Sequence, residues 1–63
     1  MFKTKIVTFC TRRGDKKTIA TNRICDLRSK DGYVEVVYNK GKNHIDMIEV
    51  PGRMSDVIRI IAS

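Results

Sequence analysis

Apolar and polar positions alternate along most of the chain with the two-residue period of β-strands, and only the last ten residues change to the period of a helix. Lys3 to Thr11 is rich in β-branched residues (Ile6, Val7, Thr8, Thr11) and holds Phe9, and it is predicted as a first strand. Arg13-Gly14-Asp15-Lys16 supplies turn chemistry, because Gly accepts positive φ and Asp bonds its own backbone. Thr18-Ile19-Ala20 reads as a short return strand. Thr21-Asn22-Arg23 interrupts the pattern, and Ile24 to Leu27 resumes it. Asp31-Gly32 marks a turn before the clearest strand, Tyr33 to Tyr38, where Val34, Val36 and Tyr38 share one face and Tyr33, Glu35 and Val37 the other. Asn39-Lys40-Gly41-Lys42 is the next predicted turn, and Asn43 to Val50 the last predicted strand.

Pro51-Gly52 ends the sheet, since Pro donates nothing to a ladder. Beyond it, Met54, Val57, Ile58 and Ile61 fall at i, i+3, i+4 and i+7, one apolar stripe of a helix that starts at Ser55 or the residue before it. Ile60 widens that stripe, and Arg53, Asp56 and Arg59 lie away from it. The predicted order is β-β-β-β-β-α. This is an α+β fold: one small curved antiparallel sheet of four to five strands, with the C-terminal helix packed on it, in a single domain spanning residues 1–63.

Two strands are apolar on both faces. Ile6 and Cys10 oppose Val7 and Phe9, and Ile45 and Met47 oppose Ile48 and Val50. One short helix covers only one side of so small a sheet, so a second cover is expected. A second copy of the chain is the simplest, which assigns Val7, Phe9, Met47 and Ile60 to a homodimer interface. A strongly coiled sheet that covers itself is the alternative. The chain's size points the same way: a domain of 63 residues buries only about 60% of the surface its unfolded form exposes and gains from a partner.

Charge adds a direction. Residues 1–30 hold nine Lys and Arg against Asp15 and Asp26, a balance of +7, whereas residues 31–63 balance at −1, giving the net +6. Arg12, Arg13, Lys16 and Lys17 crowd around the turn at Gly14-Asp15. Such a tip steers an anionic partner. It suits an acidic protein surface, or phosphates bound with counterion release, or simply a solvated hairpin end that blunts a sheet edge. Arg13-Gly14-Asp15 spells an integrin-type tripeptide, but here it is read as a plain turn. Nucleic-acid binders usually add aromatic platforms. Of Phe2, Phe9, Tyr33 and Tyr38, only Tyr33 is placed to expose its ring, so it joins the four cations as a partner-binding residue.

Catalytic chemistry is not expected. His44 is the single histidine, with no serine or cysteine at a recognisable spacing, and the four glycines sit singly in separate turns. No cofactor and no small-molecule substrate are expected. No metal is expected either, because Cys10, Cys25 and His44 lack the close pairing of zinc ligands. The two cysteines read as reduced thiols in a cytoplasmic protein. Met1 to Ile6 does not reach the ~7–15-residue apolar run of a secretory segment, and nothing approaches the ~20 apolar residues of a membrane span.

From Lys17 to Ile61 the chain resembles the small flagellar-operon proteins of the FlbD type. Asn22 and Ile24, Gly41-Lys42, and Asp56-Val57-Ile58 stand where that family has its Asn-Ile step, its Gly-Lys turn and its helix core. The chain departs from the pattern at the length of Asn43–Val50 and at Pro51-Gly52. Thr11-Arg12-Arg13-Gly14 is similar to a motif of the carbon storage regulator, an RNA-binding dimer, whose later signals the chain lacks. Size and build also resemble small phage-encoded accessory and anti-defence proteins. These readings imply a non-enzymatic binding protein. The first expectation is an accessory or inhibitory factor, of phage or mobile-element type, docked on a host protein such as a nucleic-acid-processing or defence machine. The alternative is a nucleic-acid-binding regulator that places its basic hairpin on phosphates.

Overall fold

A computed structural model describes residues 5–62. Lys3 and Thr4, at the predicted start of the first strand, lie outside the described residues, as do Phe2 and Ser63. The elements are β1 (Ile6–Cys10), β2 (Lys16–Ala20), a single 3-10 turn at Thr21–Arg23, β3 (Ile24–Ser29), β4 (Tyr33–Gly41), β5 (His44–Pro51) and α1 (Met54–Ala62). Five antiparallel strands and a C-terminal helix are the expected α+β inventory. The strands are divided, however, between a β1-β2 hairpin and a β3-β4-β5 meander.

That division decides how the core is covered. In the meander, Val36 lies opposite Leu27 on one side and Ile48 on the other, and Val34 opposite Ser29 and Val50. Cross-strand partners share a face, so Val34, Val36, Tyr38, Ile48 and Val50 line one surface, and all are buried. The hairpin folds over this surface from the β5 side and adds Val7, Phe9 and Ile19. The helix adds Val57, with Met54 and Ile61 half-buried beside it. One chain thus supplies both covers of its core.

Two expectations are corrected here. Val7 and Phe9, assigned to an interface between copies, are 7% and 1% exposed inside the single chain. They lie on the hairpin face that turns toward the meander, so the second cover sought in another molecule is the chain's own hairpin. The outward face of β1 instead carries Ile6, which is 66% exposed. Ile58, expected in the helix stripe, is 49% exposed, whereas Val57 is fully buried. The contact line of the nine-residue helix runs through Met54, Val57 and Ile61, which leaves Ile58 on its flank.

Local chemistry fixes the ends of the elements. The Asp56 carboxylate, three residues into the helix end, accepts the Arg53 N–H at 3.1 Å, the reaching-back half of a capping box. The β4–β5 hairpin turns on Lys42 and Asn43, with φ of +38° and +68°, and not on the earlier Asn39–Lys42 stretch. Two left-handed residues give the turn twist that matches the strands. A register shift lies between Asn39 and Gly41, and the Asn39 Oδ1 accepts the Gly41 N–H at 2.7 Å. This irregularity carries the strand three residues past its predicted end.

Candidate binding face

The basic turn is a bonded loop. Thr11 N–H donates to the Asp15 carbonyl at 2.7 Å, Gly14 N–H to the Thr11 carbonyl at 2.9 Å, and Asp15 N–H to the Thr11 Oγ1 at 3.2 Å. Gly14 takes φ +91°, a conformation that costs a residue with a Cβ. The loop therefore holds its cations at a fixed end of the hairpin. Lys17 lies opposite Phe9 and so shares the inward face, whereas Lys16, opposite Cys10, shares the outward one.

The four cations are not equivalent. Arg12 is tied down three times. Its N–H donates to the Glu49 carbonyl at 2.9 Å, its Nη1 sits 3.4 Å from the Glu49 Oε1, and its guanidinium carbon lies 4.3 Å from the centre of the Tyr33 ring. Stacking of this kind occupies a face of the ring. Tyr33, expected as an exposed platform, is half-buried with Arg12 against it. Arg13, Lys16 and Lys17 are exposed and form no ion pair among the described residues. With Asp15, which is exposed and has no ion pair among the described residues either, they leave the tip a balance of +2.

Beside this tip runs β5. Its outward-facing residues are Ile45, Met47 and Glu49, opposite Asn39, Val37 and Glu35. Ile45 is 59% and Met47 43% exposed, and with half-buried Val37 they form an apolar strip. Glu35 is held by Lys30 at 3.8 Å, and Glu49 by Arg12. A groove of about 460 Å³ separates hairpin tip from β5, with Thr11, Arg12, Arg13 and Lys17 on one wall and Asp46 to Glu49 on the other.

Asp46 also has partners of its own. Tyr38 O–H donates to its Oδ2 at 3.3 Å, Met47 N–H donates to its Oδ1 at 2.8 Å, and Lys40 Nζ lies at 3.6 Å. The carboxyl is held below its ordinary 3.8, chiefly by the Met47 N–H and then by the Lys40 charge and the Tyr38 bond, against an opposing effect of burial. The Tyr38 hydroxyl is raised above 10.0, first by burial and then by the charge and hydrogen bond of Asp46. Both carboxylates of the groove thus have cationic partners, whereas Arg13 and Lys17 have no carboxylate partner among the described residues.

The expected site residues are therefore partly gathered. Arg12, Arg13, Lys17 and Met47 line one groove, with Tyr33 under Arg12. Ile60, at 36% exposure, lies on the helix. Sequence reasoning missed Glu49, which locks the tip to β5; its partner Arg12 is 37 residues away, and no local pattern signals that pairing. Cys10, Cys25 and His44 are exposed. No helix among the described residues is long and apolar enough to cross a membrane. No protein-family model matches the chain, and neither a curated protein nor a solved structure matches it.

Proposed function

We propose that this is a non-enzymatic binding protein, an accessory or inhibitory factor of the kind phages and mobile elements encode, which docks on a host protein in the cytoplasm. One observation carries the reading: Arg13 and Lys17, cations with no ion pair among the described residues, share a groove with the exposed apolar residue Met47 of an edge strand. An acidic, partly apolar protein surface complements both. Free phosphates or a nucleic-acid backbone would use the cations and leave Ile45 and Met47 in water. Of the described aromatics, Phe9 and Tyr38 are buried and Tyr33 carries Arg12, so bases find few rings to stack on. The small size and the absence of catalytic spacing around His44 support an accessory role.

The test starts from affinity purification in a host lysate with nuclease, followed by titration of the purified partner at several salt concentrations. A protein partner should persist after nuclease and bind with a shallow salt dependence. Ile45→Glu with Met47→Glu should abolish the complex. Recovery of nucleic acid alone, with affinity falling steeply as salt rises, would replace this reading with the phosphate-binding regulator. Sedimentation of the free protein decides whether a second copy covers the strip: a species near twice 7.2 kDa that Met47→Glu dissociates would identify it.

A further inference from the structure

Resting on that docking reading, we infer that the partner presents an extended acidic segment, which adds to the free edge of β5 as a further strand inside the groove. The backbone supplies the first reason. β5 is the last strand of its sheet, with β4 on one side only. The Glu49 carbonyl points away from β4, since it accepts the Arg12 N–H at 2.9 Å. In an antiparallel ladder the groups that face a given edge recur every second residue. The carbonyls of Met47 and Ile45 therefore face the same open edge. The Met47 N–H belongs to the same edge and is already taken by the Asp46 side chain at 2.8 Å, so an added strand has the carbonyls of Ile45 and Met47 and the Ile45 N–H to bond.

The hairpin starts a ladder along this edge and then abandons it. Arg12 makes the single backbone bond to Glu49. The loop from Thr11 to Asp15 then closes on itself, and the groove opens beside Met47 and Asp46. At roughly 3.3 Å per residue, the stretch from Ile45 to Glu49 accommodates a segment of about four or five residues. Strand addition of this type draws affinity from main-chain bonds and selectivity from alternate side chains.

The side chains set the chemistry of the segment. Positions beside Ile45 and Met47 lie on the apolar strip and select apolar residues. Alternate positions point the other way, toward Lys17 and Arg13, which form no ion pair among the described residues. Those positions select Asp and Glu. Asp46 and Glu49 do not reverse the sign, because Lys40 and Arg12 already hold them. The occupant is therefore a peptide in which acidic and β-branched or aromatic residues alternate.

The test uses a random decapeptide display library panned on the intact protein. Enrichment of alternating acidic and apolar residues is expected. Shifts in the amide spectrum should map to residues 11–17 and 45–49. N-methylation of a selected peptide at alternate residues should weaken binding at least tenfold in one register and little in the other. This measurement needs no altered protein. Ile45→Pro should also block binding; its missing N–H faces away from β4, and circular dichroism checks that the fold is kept. Absence of enrichment, selection of non-acidic peptides, or N-methylation tolerated in both registers would overturn strand addition. If a purified protein partner is still lost on Ile45→Glu with Met47→Glu while N-methylation is harmless, docking through this face stands and only the strand mode falls.

Discussion

The two faces of the β4–β5 hairpin are built from the same strands with similar β-propensity, yet they met opposite fates. On the inner face Val34, Val36, Tyr38, Ile48 and Val50 are all at or below 7% exposure. On the outer face Val37 is half-buried, and Ile45 and Met47 stand in water beside charges that are paired off, Glu35 with Lys30 and Glu49 with Arg12. The chain has one hairpin and one helix with which to cover a sheet, and both go to the same side. Apolar residues on the other side do not contribute to the monomer's core. They are the part of the sequence that stability does not account for.

The largest losses are expected on the inner face. Phe9 is 1% exposed at the centre of the cover. Phe9→Ala should cost about 3–5 kcal/mol, enough to unfold much of so small a domain, and urea denaturation followed by circular dichroism measures it. If Phe9 belonged to a surface between copies, the isolated chain would lose far less. Within the helix, Val57→Ala should lower stability by about 2 kcal/mol. Ile58→Ala, from a residue half in water, should cost under about 1 kcal/mol. Equal losses at the two positions would mean that the helix is rotated from the orientation described.

Arg12 tests the join between the tip and the outer face. Arg12→Ala removes the contact with Tyr33 and an exposed ion pair, together about 1 kcal/mol after solvent screening. The loss should shrink as salt rises. Ile45→Lys and Met47→Lys should change the unfolding free energy by no more than about 0.5 kcal/mol, yet weaken docking on the partner by tenfold or more. A large stability loss at Met47 would place it in a core, not on a binding strip.

The smallest effects concern pH. Asp46 titrates below its ordinary 3.8 in the fold, so its contribution is complete above that value and is lost as pH falls through the lowered one. Tyr38 titrates above 10.0, so its contribution is complete below pH 10 and is lost as pH rises through the raised value. Denaturation midpoints followed from pH 2 to 4 and from pH 9 to 11 should fall at both extremes. Tyr38→Phe should flatten the alkaline limb, and Asp46→Asn the acidic one.

Much of this was legible in the sequence where the information is local. The Val34-Val36-Tyr38 alternation, the Asp31-Gly32 turn and the helix after Pro51-Gly52 are patterns of neighbours, and they identified strands, turn and helix. The approach of two sheets is not local. Lys3–Thr11 showed apolar residues on both faces, but nothing in it tells which face the meander will meet, so Val7 and Phe9 were assigned outward. Arg12, Tyr33 and Glu49 were three unrelated positions until the fold joined them. At the candidate site the sequence placed Arg12, Arg13, Lys16 and Lys17 around one turn, and the structure has Arg13 in the loop and Lys16 and Lys17 at the start of β2. The sequence did not distinguish Arg12 from the other three, because a cation's partners belong to tertiary structure.

The division of the strands also bears on how the molecule forms. Each ladder pairs strands that follow one another in the chain: β1 with β2, β3 with β4, β4 with β5. Chains dominated by near-neighbour contacts close small loops and fold quickly. Docking the β1-β2 hairpin on the meander is the one step that joins distant parts of the chain, since it brings Phe9 against Val34, Val36, Ile48 and Val50 in one core. The join between the two sheets is therefore where loop-closure entropy is greatest, and a substitution there should slow folding more than one within either ladder.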